Sequence, residues 1–278
     1  MHLVILRQSA KLSKTIGQPV RHHQWGFMTD SQPQLTLIGT VHRDPQGLQR
    51  LSALLERLQP NLLTLEMSPY ALQYRQARGP TQLLRLERVL EQLATETGHS
   101  LLELRSCQAV VDIQNLLALP YEYRAARHYV DQHDCRLALI DMTEVSTRKL
   151  KRVESGLITY RNLKILTALP EVDAAQRQES YSTAQALLLN TSEAAVRSAY
   201  LQQRRGLEGI GPRDQHMAEQ IRRLMHDDTC RHLVHVGGWV HLLEDPLGET
   251  LFSRLAEWSP ARRLPIEPGS KPEFCAGA

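Results

Sequence analysis

No run of about 18 apolar residues, the length a membrane-crossing helix needs, occurs anywhere in the chain. A transmembrane helix is therefore not expected, and a soluble protein is. Close cysteine pairs are missing too. Cys107, Cys135, Cys230 and Cys275 are scattered, which excludes a zinc finger or a thioredoxin-type redox pair and points to a reducing, cytoplasmic compartment. The apolar run Leu3-Val4-Ile5-Leu6 is cut short by Arg7 with no small-residue cleavage site behind it; it predicts a short strand and not a signal peptide. An excess of either charge is also absent. Lys and Arg number 33 against 30 Asp and Glu, a balance that argues against nucleic acid or a membrane surface as the partner and for a peptide or small molecule. The His-Glu-x-x-His helix, the Gly-x-Ser-x-Gly elbow, the phosphate-binding Gly-rich loop and the dinucleotide fingerprint do not occur, which removes the commoner hydrolase, kinase and dehydrogenase readings.

What is present is a set of short apolar runs that each stop at a residue able to do chemistry. Leu35-Thr-Leu-Ile-Gly-Thr-Val-His-Arg-Asp44 predicts a buried strand that breaks at Gly39 and delivers His42 to a turn. Asp44 and Pro45 suit the start of a helix whose Leu48, Leu51, Leu54, Leu55 and Leu58 keep helical spacing. Leu62-Leu63-Thr64-Leu65 predicts a second strand ending at Glu66, and Arg136-Leu-Ala-Leu-Ile-Asp141 a third ending on an acid. The last, about Arg231 to Val236, runs into Gly237-Gly238 and then His241. Two Gly-x-x-His turns thus close two strands, a position where open α/β sheets place their ligands.

The segments between these runs are helical in pattern: Tyr70 to Thr97 with Leu83, Leu86, Leu90 and Leu93 on one stripe, Tyr121 to about Gln132 after Pro120, and Leu247 to Trp258 near the end. Leu101-Leu-Glu-Leu104 is the exception, predicted as a short strand. Short apolar strands separated by helices imply an α/β fold with a mostly parallel central sheet. At 278 residues a single α/β domain over 1–258 is expected, with 31–142 and 209–258 as its core, 143–208 as a helical insertion over the site, and 259–278 as a Pro/Gly-rich tail. Residues 7–32, with His22, His23 and Trp25, read as a polar loop or lid. Arg148, Lys149, Lys151 and Arg152 form a basic run, read first as a solvated face and second as a binder of phosphate or an acidic substrate.

The assembled histidines and carboxylates support two mechanisms. In one, His42 and His241 with Glu66 or Asp141 hold a divalent metal that activates water. In the other there is no metal, and a histidine–glutamate pair does acid–base work on a bound ester or amide. Arg213 stands in the first turn of the helix opened by Gly211 and Pro212, where a cation opposes the helix dipole by about 0.3–1 kcal/mol. It is read either as a surface arginine paired with Asp214 or as a clamp for an anion or a transition state.

Gly39-Thr40-Val41-His42, the strand ending in Glu66, Glu122 followed by alanines before the strand ending in Asp141, Arg213-Asp214 heading a helix, and Val236-Gly-Gly-Trp-Val-His241 together resemble the ordered signature of the TraB/pheromone-shutdown family. Its Tiki-type metalloprotease relatives share the two Gly-x-x-His turns. The resemblance covers about Leu35 to Leu243. It implies a fold of the erythromycin-esterase/haem-uptake-protein type with both histidines, the glutamate and the arginine lining one cleft. It also implies metal-dependent hydrolysis of a peptide or amide bond. The alternative expectation is a non-catalytic protein that uses the cleft to bind a peptide, haem or another small ligand.

Overall fold

A computed structural model describes residues 5–6, 33–42, 44–169, 181–188 and 194–266. The polar segment 7–32 and the end of the tail lie outside them. Among the described residues the strands are β1 (Ile5–Leu6), β2 (Gln34–Thr40), β3 (Leu62–Leu65), β4 (Arg136–Leu139), β5 (His232–Gly238) and β6 (Ala261–Arg263). They form one sheet in the order β1-β4-β3-β5-β2-β6. β2 to β6 are mutually parallel, and the two-residue β1 is antiparallel at the edge beside β4. The expected mostly parallel α/β sheet is therefore present. Parallel order brings the carboxyl ends of β2, β3, β4 and β5 to one edge.

The helices are α1 (Gly47–Leu58), α2 (Pro69–Ala77), α3 (Gly79–Thr97), α4 (Leu101–Ser106), α5 (Gln108–Leu117), α6 (Tyr121–Gln132), α7 (Thr143–Arg152), α8 (Tyr160–Ala168), α9 (Tyr181–Leu188), α10 (Ala194–Gln202), α11 (Pro212–Met225) and α12 (Leu251–Arg254). Alternation along the strands sorts their side chains to two faces. Ile38, Leu63, Leu65, Leu137, Leu139, Val234 and Val236 face a leucine-rich core shared with α1, α3, α5 and α6. Leu35, Leu37, Leu62, Ala138, Ile140 and Leu233 face a second core with α9, α10 and α11. Chain steps from β2 to β3 to β4 run over the first face, and the return from β4 to β5 reaches the second, as right-handed crossovers of opposite direction must. The stretch 143–208 follows the same division: Leu150 and Leu163 join the first core, and Ala184, Leu187 and Leu201 the second. It therefore passes from one face to the other.

Several local expectations are corrected. Leu101–Ser106 is a helix, because Ser100 caps it by accepting from the Glu103 amide at 3.1 Å while Glu103 accepts from the Ser100 amide at 2.8 Å; this reciprocal pair offsets two otherwise unsatisfied amides. The long Tyr70–Thr97 pattern is two helices joined at Arg78, with Ser68 capping the first at 3.1 Å. The helix expected over Leu247–Trp258 shrinks to the single turn of α12 followed by a tight turn at Ala256–Trp258. The segment read as tail supplies β6, whose three residues pair with β2. At the other end of β2, Gly39 is required by a close approach: a Cβ there would stand 2.7 Å from the Trp239 Cα.

Candidate functional site

The ends of β2, β3 and β5 and the amino-terminal turn of α11 meet in a cleft of about 310 Å³, lined by His42, Glu66, Arg213, Gly238, Trp239 and His241 among others, with the start of another helix, α6, supporting His42. This helix comes from the leucine-rich face. α6 begins after Pro120 and carries Glu122 in its first turn. One oxygen of Glu122 lies 2.8 Å from His42 Nδ1 and accepts from the Thr40 hydroxyl at 3.1 Å. Its second oxygen is buried with no hydrogen-bond partner among the described residues. Val41, the residue before His42, is gripped at both ends of its backbone: its amide donates to the Tyr181 hydroxyl at 3.3 Å, and its carbonyl accepts from the Tyr121 hydroxyl at 3.0 Å. His42 is thereby fixed at its base, yet its side chain remains 56% exposed. Burial alone would lower its pKa; the hydrogen bond and charge of Glu122, with Glu66 beyond, outweigh that and raise it above 6.5.

The second helix comes from the opposite face and is far more deeply buried. Arg213 and Asp214 occupy the first turn of α11. The Arg213 guanidinium forks onto Asp141, with Nε–Oδ1 2.9 Å and Nη2–Oδ2 2.8 Å, and Nη2 also reaches Glu66 Oε1 at 2.6 Å. Its Nη1 donates to the Glu208 carbonyl at 3.1 Å. Asp214 Oδ1 faces His241 Nδ1 at 2.8 Å and accepts from the Leu251 amide at 2.6 Å. The other nitrogen of His241 lies 3.3 Å from Glu66 Oε1. Glu66 Oε2 accepts from the Gly238 amide at 2.6 Å. Burial would raise the Glu66 pKa, but His241 and Arg213 hold it well below the usual carboxylate value. Burial would lower that of His241, but Asp214 and Glu66 push it up to about 10. At neutral pH the cleft floor is thus an anion bracketed by two cations.

His42, Glu66, Arg213 and His241 are brought together as expected. Arg213 points inward, and its partners are Asp141 and Glu66; the surface pairing with Asp214 does not occur. Asp141 stands one layer behind the cleft with both oxygens in the Arg213 fork. Glu122 and Asp214, which hold the two histidines, had no role assigned from spacing, because an acid in a helix's first turn is what the helix dipole alone would favour.

The donor set can be tested against a divalent metal. Asp141 would have to leave a bidentate arginine, one Glu66 oxygen already serves Arg213 and His241, and the other takes a backbone amide. A histidine whose two nitrogens both point at carboxylates is arranged as a cation, whereas a metal needs the neutral ring. Among the described residues no group of three or more His, Cys, Asp or Glu side chains is disposed to hold a metal ion. As folded, the four candidate ligands do not fit one.

Gly237 and Gly238 complete the geometry. A Cβ on Gly238 would come 3.1 Å from His42 Nε2 and 3.5 Å from Glu66 Oε2, so the bare backbone leaves room between the free nitrogen of one dyad and the carboxylate of the other. The same strand holds His235 wholly buried, its Nδ1 3.0 Å from the Thr64 hydroxyl, and burial pushes it down to about 4, so it is neutral. Comparisons with protein-family models, curated proteins and solved structures returned no match.

Proposed function

We propose that the protein is a hydrolase that activates water against an ester or amide carbonyl without routing the reaction through a metal. The observation that carries this reading is the half-exposed His42, held through Nδ1 by Glu122 with Nε2 turned to the gap over Gly238 and beside Glu66. A neutral histidine oriented by a carboxylate is a general base, and Glu122 makes this one more basic than the free side chain. Water in the gap donates one proton to His42 Nε2 and another hydrogen bond to Glu66. Its oxygen attacks the carbonyl carbon, the C=O electron pair moves onto oxygen, and Arg213 and His241, whose N–H groups are engaged with Glu66, Asp141, Asp214 and the Glu208 carbonyl, act on the resulting charge through their field. Collapse of the intermediate breaks the C–O or C–N bond, and the proton on His42 passes to the leaving group. The resemblance to the TraB/pheromone-shutdown family supports a peptide or amide as the bond cleaved.

The test is hydrolysis of chromogenic esters and anilides by the purified protein, with and without chelator. Turnover indifferent to chelator and reduced about 10²- to 10⁴-fold in His42→Asn is expected. Turnover abolished by chelation would replace this reading with the metal-assisted one, and tight ligand binding without turnover would replace it with a binding protein.

A further inference from the structure

The pairing of β2 with β5 stops at Thr40, so Val41 leaves the sheet with an amide and a carbonyl that the ladder does not satisfy. Two phenols take them. Tyr181, the first residue of α9, accepts from the Val41 amide at 3.3 Å, and Tyr121, the first of α6, donates to the Val41 carbonyl at 3.0 Å. The two hydroxyls are also hydrogen-bonded to each other. Because the Tyr121 proton is committed to the carbonyl, the Tyr181 proton goes to the Tyr121 oxygen. Amide, Tyr181, Tyr121 and carbonyl thus close a ring in which every donor points the same way round. Burial pushes both phenols above the usual tyrosine value, which keeps both protons in place.

The ring draws on both faces of the sheet, since α6 packs into the leucine-rich core and α9 into the second. Each phenol is braced from α1. The Tyr121 ring occupies the place a side chain on Gly47 would need, and Arg50, itself paired with Asp44 at 3.1 Å, stands 5.9 Å from the centre of the Tyr181 ring. The Val41 carbonyl also accepts from the Asp44 amide at 3.0 Å. It therefore anchors the turn in which His42 stands, and it shares a planar peptide with the His42 nitrogen. What the phenols hold is the approach of the His42 ring to Glu122, on which the tautomer depends: with Nδ1–H on the carboxylate, the lone pair is left on Nε2 over Gly238.

We propose that Tyr121 and Tyr181 are positioning residues that act through Val41 to keep His42 in the tautomer with its lone pair on Nε2, which makes the 143–208 stretch, the source of Tyr181, a working part of the cleft. The effect on rate rests on the hydrolase reading; the tautomer does not. The experiment compares Tyr181→Phe and Tyr121→Phe with Tyr129→Phe, which removes a buried hydroxyl bonded to the Pro60 carbonyl at 3.4 Å, at the opposite end of the sheet. The ring-nitrogen NMR shifts of His42, assigned by their loss in His42→Asn, are read in alkaline buffer where the ring is neutral. Wild type and Tyr129→Phe should show an unprotonated Nε2. Tyr181→Phe should show it averaged with the other tautomer, and Tyr121→Phe less so, since the Asp44 amide stays on the carbonyl. With p-nitrophenyl acetate, kcat should fall about tenfold in Tyr181→Phe with KM little changed. The double variant should lose little more, because either removal opens the ring. Should one variant fail to fold, the other carries the test. An unmoved Nε2 shift in the folded variants, the same movement in Tyr129→Phe, or losses that multiply in the double variant overturn the proposal. A moved tautomer in a protein whose wild type hydrolyses nothing would sink the hydrolase reading and leave the positioning role standing.

Discussion

His42 and His241 each turn Nδ1 toward a carboxylate at 2.8 Å, and each carboxylate sits in the first turn of a helix, Glu122 in α6 on one face of the sheet and Asp214 in α11 on the other. The surroundings then separate them. The His42 side chain is 56% exposed, with no hydrogen-bond partner for Nε2 among the described residues, whereas His241 is 4% exposed and has a second carboxylate, Glu66, on its far nitrogen. The same dyad therefore yields a titratable base in one place and a fixed cation in the other. Burial by itself opposes charge on both rings, and two carboxylates oppose burial at each; what differs is contact, since His42 is hydrogen-bonded to Glu122 and feels Glu66 only by charge, whereas His241 is hydrogen-bonded to both Asp214 and Glu66.

That contrast can be broken most severely on the buried side. Arg213→Met leaves Glu66 and Asp141 facing each other without their shared cation, and removing one partner of a buried ion pair costs about 3–5 kcal/mol; denaturant melts should show a loss of that order. If the melt is unmoved, the floor is more hydrated than its burial implies. The second effect is pH-dependent. His241 has a folded pKa of about 10 against 6.5 for the free side chain, so its contribution to stability is complete below 6.5 and is lost as pH rises through 10. Thermal melts of the wild type should fall over that window, and His241→Gln should both lower stability at pH 7, by about 1–3 kcal/mol, and flatten the alkaline limb. An unchanged limb would assign it to other groups.

The exposed dyad is probed by rate. Glu122→Gln removes the charge that raises the His42 pKa, and the base works in its neutral form. The acid limb of the pH–rate profile should move to lower pH, and the plateau should drop about 10- to 100-fold because the weaker, less well-oriented base transfers protons less readily. A drop in rate with no movement of the limb would make Glu122 a packing residue. The smallest effect is expected from Gly238→Ala, whose methyl would stand 3.1 Å from His42 Nε2. It should cut turnover several-fold while shifting stability by no more than about 1 kcal/mol, because the Gly238 backbone is one alanine adopts without strain, and equal turnover would mean that water is held elsewhere.

The strands and their terminal residues were legible because each is a short apolar run stopped by a polar residue, and the parallel sheet follows from the helices between them. Arg213 was legible as an anomaly, a cation where the helix dipole favours an anion. Glu122 and Asp214 were not, since acids at helix starts are locally favourable and carry no mark of the histidines they meet 80 and 27 residues away. Leu101–Ser106 misled because apolar alternation over four residues does not separate strand from helix; Ser100 and Glu103 held the deciding signal. The tail's β6 was hidden by the prolines around it, and its three residues suffice only because β2 offers an open edge.

Asp214 binds more than a histidine. Its Oδ1 also takes the Leu251 amide at 2.6 Å, and Oδ2 takes the Gly211 amide at 3.3 Å, so one wholly buried side chain ties the entry to α11, the turn after β5 and the start of α12. In hydrogen-exchange terms, the Leu251 amide can meet solvent only when that knot opens. Its deuterium uptake is thus a clock on the opening of the cleft floor, readable in the resting protein with no substrate present.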